Sequence, residues 1–536
     1  MDHEYEQEHQ LEEALLGATT NSGPTASPAP PGVPCARTDG GGPGASSDRP
    51  PDASDAGTTG PLSAREELAE MVSLALPIAA SAFCRKGMVS ADKAFVGHLG
   101  DDGHGAGGYL AAFVLADMCL SVLMVPPLAF SLVLNSLVGQ AVGSGRPKMA
   151  GVWFQQSLFW LAVSLPPCLV GLFYVEPALL VLGFDQDLAL LAGTYAKYNV
   201  IWPVSSSLYT SMRIYFQAQG LPRPAMYNNI AFLFINAFLN YVFIFGGPFR
   251  HFAAFGHWRG LGFVGAAVSL SISRTAQLAV YFVYMFVLQR HHRRTWPGLS
   301  PSHHTRARTA EFLRQALPGA GTLFFQQCSG RAVTVLVGRL GGEAVAASSV
   351  VSAGADPLWG TLTTTARTVS AVRVGYHLGR GDGAAARRAA WLVLRSITVV
   401  DAVAVAAFVP LQEVLLGVVT NDRGLRDRAA TLIPAVLVST YLNLVVDNIT
   451  AGVFAGMGRP VIATVLSFGL ELPMMIGASA LYIIKFHGNL LGVYWLQAGI
   501  GGFEVVVVLI IMTISNWDKY AQKARKRQEV PVESLE

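Results

Sequence analysis

Twelve long apolar segments follow one another along this chain from Leu68 onward. Each is close to the roughly 20 residues that cross a bilayer as an α-helix. They centre near residues 83, 120, 163, 202, 235, 274, 325, 357, 399, 442, 472 and 502. Six precede a basic stretch at 289–311 and six follow it. The pattern predicts an all-α membrane protein with twelve transmembrane helices.

The two sets of six segments are copies of one unit. The sequence LALP at 74–77 recurs as QALP at 315–318, and VGHLG at 96–100 recurs as VGRLG at 337–341, both 241 positions apart. Because each copy has an even number of spans, both copies enter the membrane in the same direction. We therefore expect two six-helix lobes related by a pseudo-two-fold axis along the membrane normal, enclosing a substrate pathway.

Composition excludes several classes of protein. Hydrophobic residues make up 52% of the chain and charged residues 14%, whereas soluble domains carry roughly 25% charged residues. The mean hydropathy is +0.41. The net charge of +3 comes without a basic stripe interleaved with aromatic residues, so no nucleic-acid partner is expected. The five cysteines are scattered, so neither a disulfide framework nor a zinc site is expected. No nucleophile–base, metal-ligand or phosphate-loop spacing points to an enzyme.

The chain divides into five parts. Residues 1–62 begin acidic and continue rich in Gly, Pro and Ser, which predicts a disordered tail. Residues 63–288 form the predicted N-lobe with helices one to six, and residues 289–311 a basic linker. Residues 312–515 form the predicted C-lobe with helices seven to twelve, and residues 516–536 a basic tail. Lys and Arg concentrate in the linker, the tail and alternate loops, which predicts that both termini are cytoplasmic.

Ionisable side chains at membrane depth are the candidates for chemistry, because each costs roughly 2.5–3.5 kcal/mol at a helix centre. Helix one carries four of them, Arg85, Lys86, Asp92 and Lys93. Arg85 and Asp92 are seven positions apart and share one face of the helix, so they face a wet cavity or partners on other helices. A carboxylate that exchanges a proton suits ion coupling, which makes Asp92 the leading candidate. The structural alternative is that Asp92 only neutralises a neighbouring cation.

Further polar positions complete the candidate path. Arg331, Asp356 and Asp447 are charged residues within apolar segments of the second copy. Asn236 and Asn240 lie on one face of helix five. Their amides either line a polar path or hold helices together by hydrogen bonds.

Several short motifs in a fixed order give the chain a resemblance. They include FQAQG at 216–220, GFVGAA at 262–267, RVG at 373–375 and TND at 420–422. Over about residues 66–518 the chain resembles the multidrug and toxic compound extrusion (MATE) transporters of eukaryotic type. The resemblance implies two lobes around a central cleft that opens alternately to each side and exports substrate in exchange for protons or sodium. It also implies that Asp92 is the coupling acid of helix one.

The resemblance extends to helix five and then breaks down in the second lobe. Asn236 and Asn240 match the family's polar pair. Many relatives have Glu after Leu-Phe-Phe in helix seven, where this chain has Gln326, which cannot titrate. Arg331 stands where eukaryotic relatives have a second acid, and Asp447 lies one turn beyond the usual acid of helix ten. Extra positive charge along the path would favour organic anions.

The sequence therefore predicts a secondary active efflux antiporter that exports small organic molecules or xenobiotics in exchange for protons by alternating access. Two alternatives stay open, an organic-anion (carboxylate) exporter using Arg85 and Arg331, and a lipid-head-group flippase that needs no titrating acid. We expect a monomer in the plasma membrane or vacuolar membrane. The expected partners are a small organic substrate and the lipid bilayer. No cofactor is expected beyond the coupling proton or sodium ion.

Overall fold

The computed structural model describes residues 63–99, 108–251, 258–419 and 422–529, and within these ranges the secondary structure is helical without a strand. The predicted tail 1–62 lies outside the described residues. So do residues 530–536 of the basic tail and the first two residues of the motif at 420–422.

Six long helices, α1 to α6, make up the N-lobe. They are α1 (Ala64–Gly97), α2 (residues 108–143, made of Gly108–Leu123, Val125–Leu132 and Leu134–Gly143), α3 (Pro147–Phe173), α4 (residues 186–217, made of Gln186–Tyr198 and Trp202–Gln217), α5 (Arg223–Phe245) and α6 (Gly262–Leu288). A short helix, Val175–Val181, joins α3 to α4. The breaks in α2 and α4 precede Pro126 and Pro203, because proline removes a backbone donor. Three 3₁₀ turns lie outside these helices, at Gly247–His251, His291–Arg294 and Pro301–His303.

Six more long helices make up the C-lobe, and a short helix follows them. They are α7 (Arg306–Gly338), α8 (Gly342–Arg380), α9 (Gly383–Val419), α10 (Arg423–Phe454), α11 (Pro460–Lys485), α12 (Leu490–Ile514) and α13 (Trp517–Gln528). Helix α7 begins inside the stretch 289–311 that the sequence assigns to the linker, because Thr305 caps it by accepting a hydrogen bond from the Arg308 backbone. The last turns of α10, Asn448–Phe454, are π-helical, a feature frequent at functional sites.

The twelve long helices confirm the predicted all-α, two-lobe architecture. Among the described residues, nine helices are long and apolar enough to cross a membrane: α1, Val125–Gly143 of α2, α3, α5, α6 and α9 to α12. The other three, α4, α7 and α8, are more polar. Helix α8 packs against α1 and α2 of the N-lobe, so protein rather than lipid surrounds much of it. Pro77 of α1 and Pro318 of α7 occupy equivalent places in the repeat, and both lie inside helices.

The lobes contact each other at the end of the bundle that carries Ser63, the linker and α13, here called the linker face. Gln140 of α2 donates to the carbonyl of Gly456 at 2.9 Å. Two glycines let the backbones of α2 and α8 approach closely, because a Cβ at Gly143 would overlap the carbonyl of Tyr376 and one at Gly379 would overlap that of Gln140. The linker face is therefore closed by tightly packed backbone.

A cluster of charged side chains reinforces this closure. Arg373 of α8 donates to both carboxylate oxygens of Glu67 of α1, through Nε at 2.9 Å and Nη2 at 2.6 Å. Its Nη1 also lies 2.5 Å from Glu70. His377 Nε2 is 3.1 Å from Glu67. Arg373, Glu67 and His377 are all buried, so this cluster joins the two lobes away from solvent.

Candidate functional site

A cavity of ≈ 420 Å³ lies between α1, α2, α4 and α6 of the N-lobe and α8 of the C-lobe. Its size falls in the range of roughly 300–1,000 Å³ that is typical of small-molecule sites. A larger recess of ≈ 1040 Å³ lies at the linker face, beside α9 and α13. Only the smaller cavity reaches the candidate acid of helix one, so it is the candidate site.

Asp92 stands on the wall of this cavity, held by two amides. Asn236 Nδ2 donates to Asp92 Oδ1 at 2.7 Å, and Asn240 Nδ2 donates to the same oxygen at 2.6 Å. Positions 236 and 240 are one helical turn apart on α5, so both amides face α1. All three side chains are buried. The structure thus brings together three of the residues that the sequence singled out.

Other titratable groups face Asp92 from neighbouring helices. Arg274 of α6, Asp117 of α2 and Tyr195 of α4 all interact with it electrostatically. Among the described residues, none of these cations or acids forms an ion pair with Asp92. Its charge is therefore stabilised mainly by the amide hydrogen bonds and by the more distant positive charge of Arg274.

Positive charge dominates the rest of the cavity wall. Five cationic side chains line it: Arg85, Lys86, Arg213, Arg274 and Arg367. Two carboxylates, Asp92 and Asp117, line it as well. The structure thus brings Arg85 into the same cavity as Asp92, as their spacing on helix one suggested. Aromatic side chains complete the wall: Phe113, Tyr195, Trp202 and Tyr209.

Two of the C-lobe candidates, Gln326 and Asp447, form a pair that is separate from Asp92. Gln326 Nε2 of α7 donates to Asp447 Oδ1 of α10 at 3.1 Å. Asp447 immediately precedes the π-helical turns of α10. Arg331 and Asp356 are exposed on α7 and α8. They interact electrostatically with two residues of the cavity wall, Arg331 with Asp117 and Asp356 with Lys86, so they approach the cavity from the C-lobe.

Comparison with known proteins identifies the family. The profile of the MatE family matches residues 77–242 and 318–476, which is one segment in each lobe. The chain belongs to the MatE family. It is thus a multi-pass membrane transporter, and the predicted resemblance is confirmed.

Relatives and solved structures agree with this assignment. This MatE protein is 27% identical to human multidrug and toxin extrusion protein 1 over 484 residues, covering 88% of this chain and 79% of that protein. The crystal structure of the eukaryotic MATE transporter AtDTX14 is similar in fold, with a TM-score of 0.76 and 21% identity, covering 87% of this chain and 99% of that one. A transporter of the MOP superfamily from Pyrococcus furiosus, whose binding pocket is described as having reverse polarity, matches with a TM-score of 0.67 and 16% identity, covering 86% and 96%.

Sequence reasoning missed two cavity residues of this MatE protein, Arg213 and Arg274. Each is a charged residue within a segment that was read as a span, which is the same signal that pointed to Arg85. The structure puts Arg373 inside α8, where its partner is Glu67 of the other lobe.

No metal site is evident within the described ranges, since they contain no group of three or more His, Cys, Asp or Glu side chains that could hold an ion. The cysteines of these ranges are free thiols: Cys84, Cys119, Cys168 and Cys328. The site chemistry available to this transporter therefore consists of carboxylates, amides and guanidinium groups.

Proposed function

We propose that this MatE protein exports small organic molecules in exchange for protons, and that Asp92 carries the proton in the N-lobe. The observation that supports the proposal is the position of Asp92, a buried carboxylate on the wall of the interlobe cavity with two amide donors on one oxygen. The extrusion function named for the human relative supports the direction of transport.

Protonation of Asp92 would change how α1 is held against α5. In the ionised state one carboxylate oxygen accepts from both Asn236 and Asn240. A protonated carboxyl is a weaker acceptor and brings an O–H group that needs an acceptor of its own. Asn236 Oδ1 is buried without a hydrogen-bond partner, so rotation of this amide would provide that acceptor. The α1–α5 contact thus has two hydrogen-bonding arrangements that depend on one proton.

Two arrangements of one contact allow coupling only if they favour different states of the transporter. Ionised Asp92 would stabilise one orientation of α1, and protonated Asp92 the other. A substrate would then shift the balance by binding the two states unequally. The cluster of Glu67 and Arg373 at the linker face closes one side in the present state, as alternating access requires.

Sodium is the alternative coupling ion. A sodium ion at Asp92 would need oxygen ligands, whereas both asparagines present their NH₂ groups to the carboxylate. Rotation of the Asn236 amide would give either ion an oxygen, so the two ions are separated by the choice of gradient in the experiment below.

The test is flux in proteoliposomes under an imposed proton gradient, a sodium gradient or neither, comparing wild type with Asp92→Asn. The matched control is Asp401→Asn. Asp401 lies on α9, away from the cavity, and is another buried carboxylate. It accepts a hydrogen bond from Trp359 Nε1 at 2.8 Å. We expect the proton gradient to drive flux in wild type and in Asp401→Asn and not in Asp92→Asn. Equal gradient-driven flux in all three proteins would refute the proposal. Lipid scrambling without any gradient would instead indicate the flippase.

A further inference from the structure

The interlobe cavity contains more positive than negative charge. Its wall carries five cationic side chains against two carboxylates, an excess of three. All five cations lie on helices α1, α4, α6 and α8, which surround the cavity from both lobes. Such charges at membrane depth are unfavourable unless something compensates them.

The protein compensates these charges only in part, because Asp356 interacts electrostatically with Lys86 and Asp92 with Arg274. Arg85 Nη1 donates to Ser81 Oγ at 3.0 Å, Arg213 Nη1 to Gln217 Oε1 at 2.8 Å, and Arg274 Nη1 to Gln277 Oε1 at 3.1 Å. These partners are neutral side chains. Within the described ranges, none of the cations on the cavity wall is ion-paired with a carboxylate.

Two of these arginines are unusually well suited to bind an anion. Arg213 and Arg274 have residue exposures of 7% and 8%, so both residues are more than nine-tenths buried. Arg213 Nε is buried without a hydrogen-bond partner. A buried donor left unsatisfied is unfavourable, and a ligand oxygen would satisfy it.

Within the described residues, the carboxylates of the cavity do not form ion pairs with these arginines. Asp92 Oδ1 already accepts from two amides. Asp117 interacts electrostatically with Lys93, Arg331 and Lys86, and not with the arginines of α4 and α6. Lys86 extends from α1 to the C-lobe, where a Cβ on Gly360 of α8 would lie 3.1 Å from its Nζ. Positive charge thus spans the cavity from lobe to lobe.

From these observations we infer that the substrate of the export cycle proposed above, on which this inference rests, is a small organic anion with two or more carboxylate groups. Guanidinium groups match carboxylates because their parallel N–H bonds form a bidentate pair. Several arginines distributed around one cavity suit several carboxylates on one molecule. The aromatic wall, which includes Trp202 and Tyr209, provides apolar surface for the carbon skeleton.

The test measures binding to purified protein in lipid nanodiscs without any ion gradient, by calorimetry and by the shift in thermal unfolding. The probes form a charge series of similar size: tricarballylate, glutarate, butyrate, the neutral triamide of tricarballylic acid, and tetraethylammonium. Potassium chloride at matched ionic strength controls for general screening. We expect affinity to rise with the number of carboxylates and to be weakest for the amide and the cation.

The variants Arg213→Gln and Arg274→Gln should weaken the binding of tricarballylate about tenfold or more, because each removes a charge-assisted hydrogen bond. The control is Arg423→Gln, which removes the same charge from an exposed position at the start of α10. If either Gln variant does not fold, Arg213→Lys and Arg274→Lys replace it. Lysine keeps the charge but lacks the two parallel N–H donors of the guanidinium group, so these variants should still weaken binding more than the control does.

Tighter binding of tetraethylammonium than of tricarballylate would overturn the inference. So would arginine variants whose Kd stays within about twofold of wild type. Because the assay has no gradient, it is independent of proton coupling. Binding of tricarballylate without proton-driven flux would support the substrate class and refute the exchange cycle. Proton-driven flux of cations alone would support the exchange cycle and refute the substrate class.

Discussion

Replacing Glu67 by Gln should open the linker face. The carboxylate of Glu67 accepts two hydrogen bonds from Arg373 of the other lobe and lies 3.1 Å from His377. Gln keeps the shape and one acceptor oxygen but removes the charge. Removing one partner of a buried ion pair costs roughly 3–5 kcal/mol. Since Gln retains one acceptor, we expect a loss of about 3 kcal/mol from the closed state, which corresponds to roughly a hundredfold shift in the equilibrium between closed and open.

The assay is the distance between two spin labels at exposed positions of the linker face, one replacing Lys148 at the start of α3 and one replacing Ala384 on α9. In Glu67→Gln the distribution should gain a longer component. The matched control is Glu66→Gln, which neutralises the neighbouring exposed carboxylate that caps α1 through Ser63. Identical distance distributions in Glu67→Gln and in the control would refute the reasoning.

Two further predictions concern the same end of the molecule. Gly379→Ala should prevent tight closure at a cost of about 1–3 kcal/mol, because its Cβ would overlap a backbone carbonyl of α2. The control Gly330→Ala has open space around its Cβ and should leave closure unchanged. The same spin-label distance measures both variants. His303 is buried in the linker, where it contacts Gln155 Oε1 at 2.9 Å, and burial, with the charges of Arg308 and His304, lowers its pKa. The unfolded chain then binds a proton that the folded chain does not, so the free energy of unfolding should fall as pH drops below about 6.5. In His303→Gln this contribution to the pH dependence of stability should be missing when thermal unfolding is followed from pH 7.5 to 5.5.

The spans and lobes could be predicted from the sequence because a transmembrane helix is a local pattern of apolar residues. The duplication of LALP at 74–77 as QALP at 315–318 showed the two lobes in the same way. The segment near residue 357 was counted among the twelve apolar segments, although helix α8, to which it belongs, is more polar than most of the others. Its position between the lobes explains its polarity, and only the structure shows that position.

The candidate site could be predicted in part. Asp92, Asn236 and Asn240 were each visible as polar residues in apolar helices, but a sequence pattern does not show which faces of two distant helices meet. The pairing of α1 with α5 therefore came from the structure. Arg213 and Arg274 were missed because each stands alone in sequence, with no second charge beside it. Their significance lies in converging on one cavity, which is a property of the packing.

An anionic substrate would change the sign of the electrostatic coupling between substrate and proton. A cation competes with a proton for a carboxylate, whereas protonation of Asp92 leaves the cavity more positive and should strengthen the binding of an anion. Removal of one unit charge at roughly 8 Å, with an effective dielectric constant of about 20, changes binding by about 2 kcal/mol per ligand charge. Mutual exclusion of proton and anion would then have to come from the α1–α5 contact rather than from competition of charge.

This sign can be measured with benzene-1,3-disulfonate, which stays ionised at every pH of the assay. Its affinity for wild type should rise at least about tenfold as the pH falls through the range in which Asp92 gains its proton. The groups that face this carboxylate are Arg274, Asp117 and Tyr195, and of these Asp117 also lines the cavity as an acid. Asp92→Asn should therefore bind tightly and lose most of the pH dependence, and adding Asp117→Asn should abolish the remainder. An affinity of wild type that does not change with pH would show that the charge of Asp92 does not reach the ligand. An affinity that weakens on acidification would refute the expected sign and would show that exclusion through the α1–α5 contact outweighs the effect of charge.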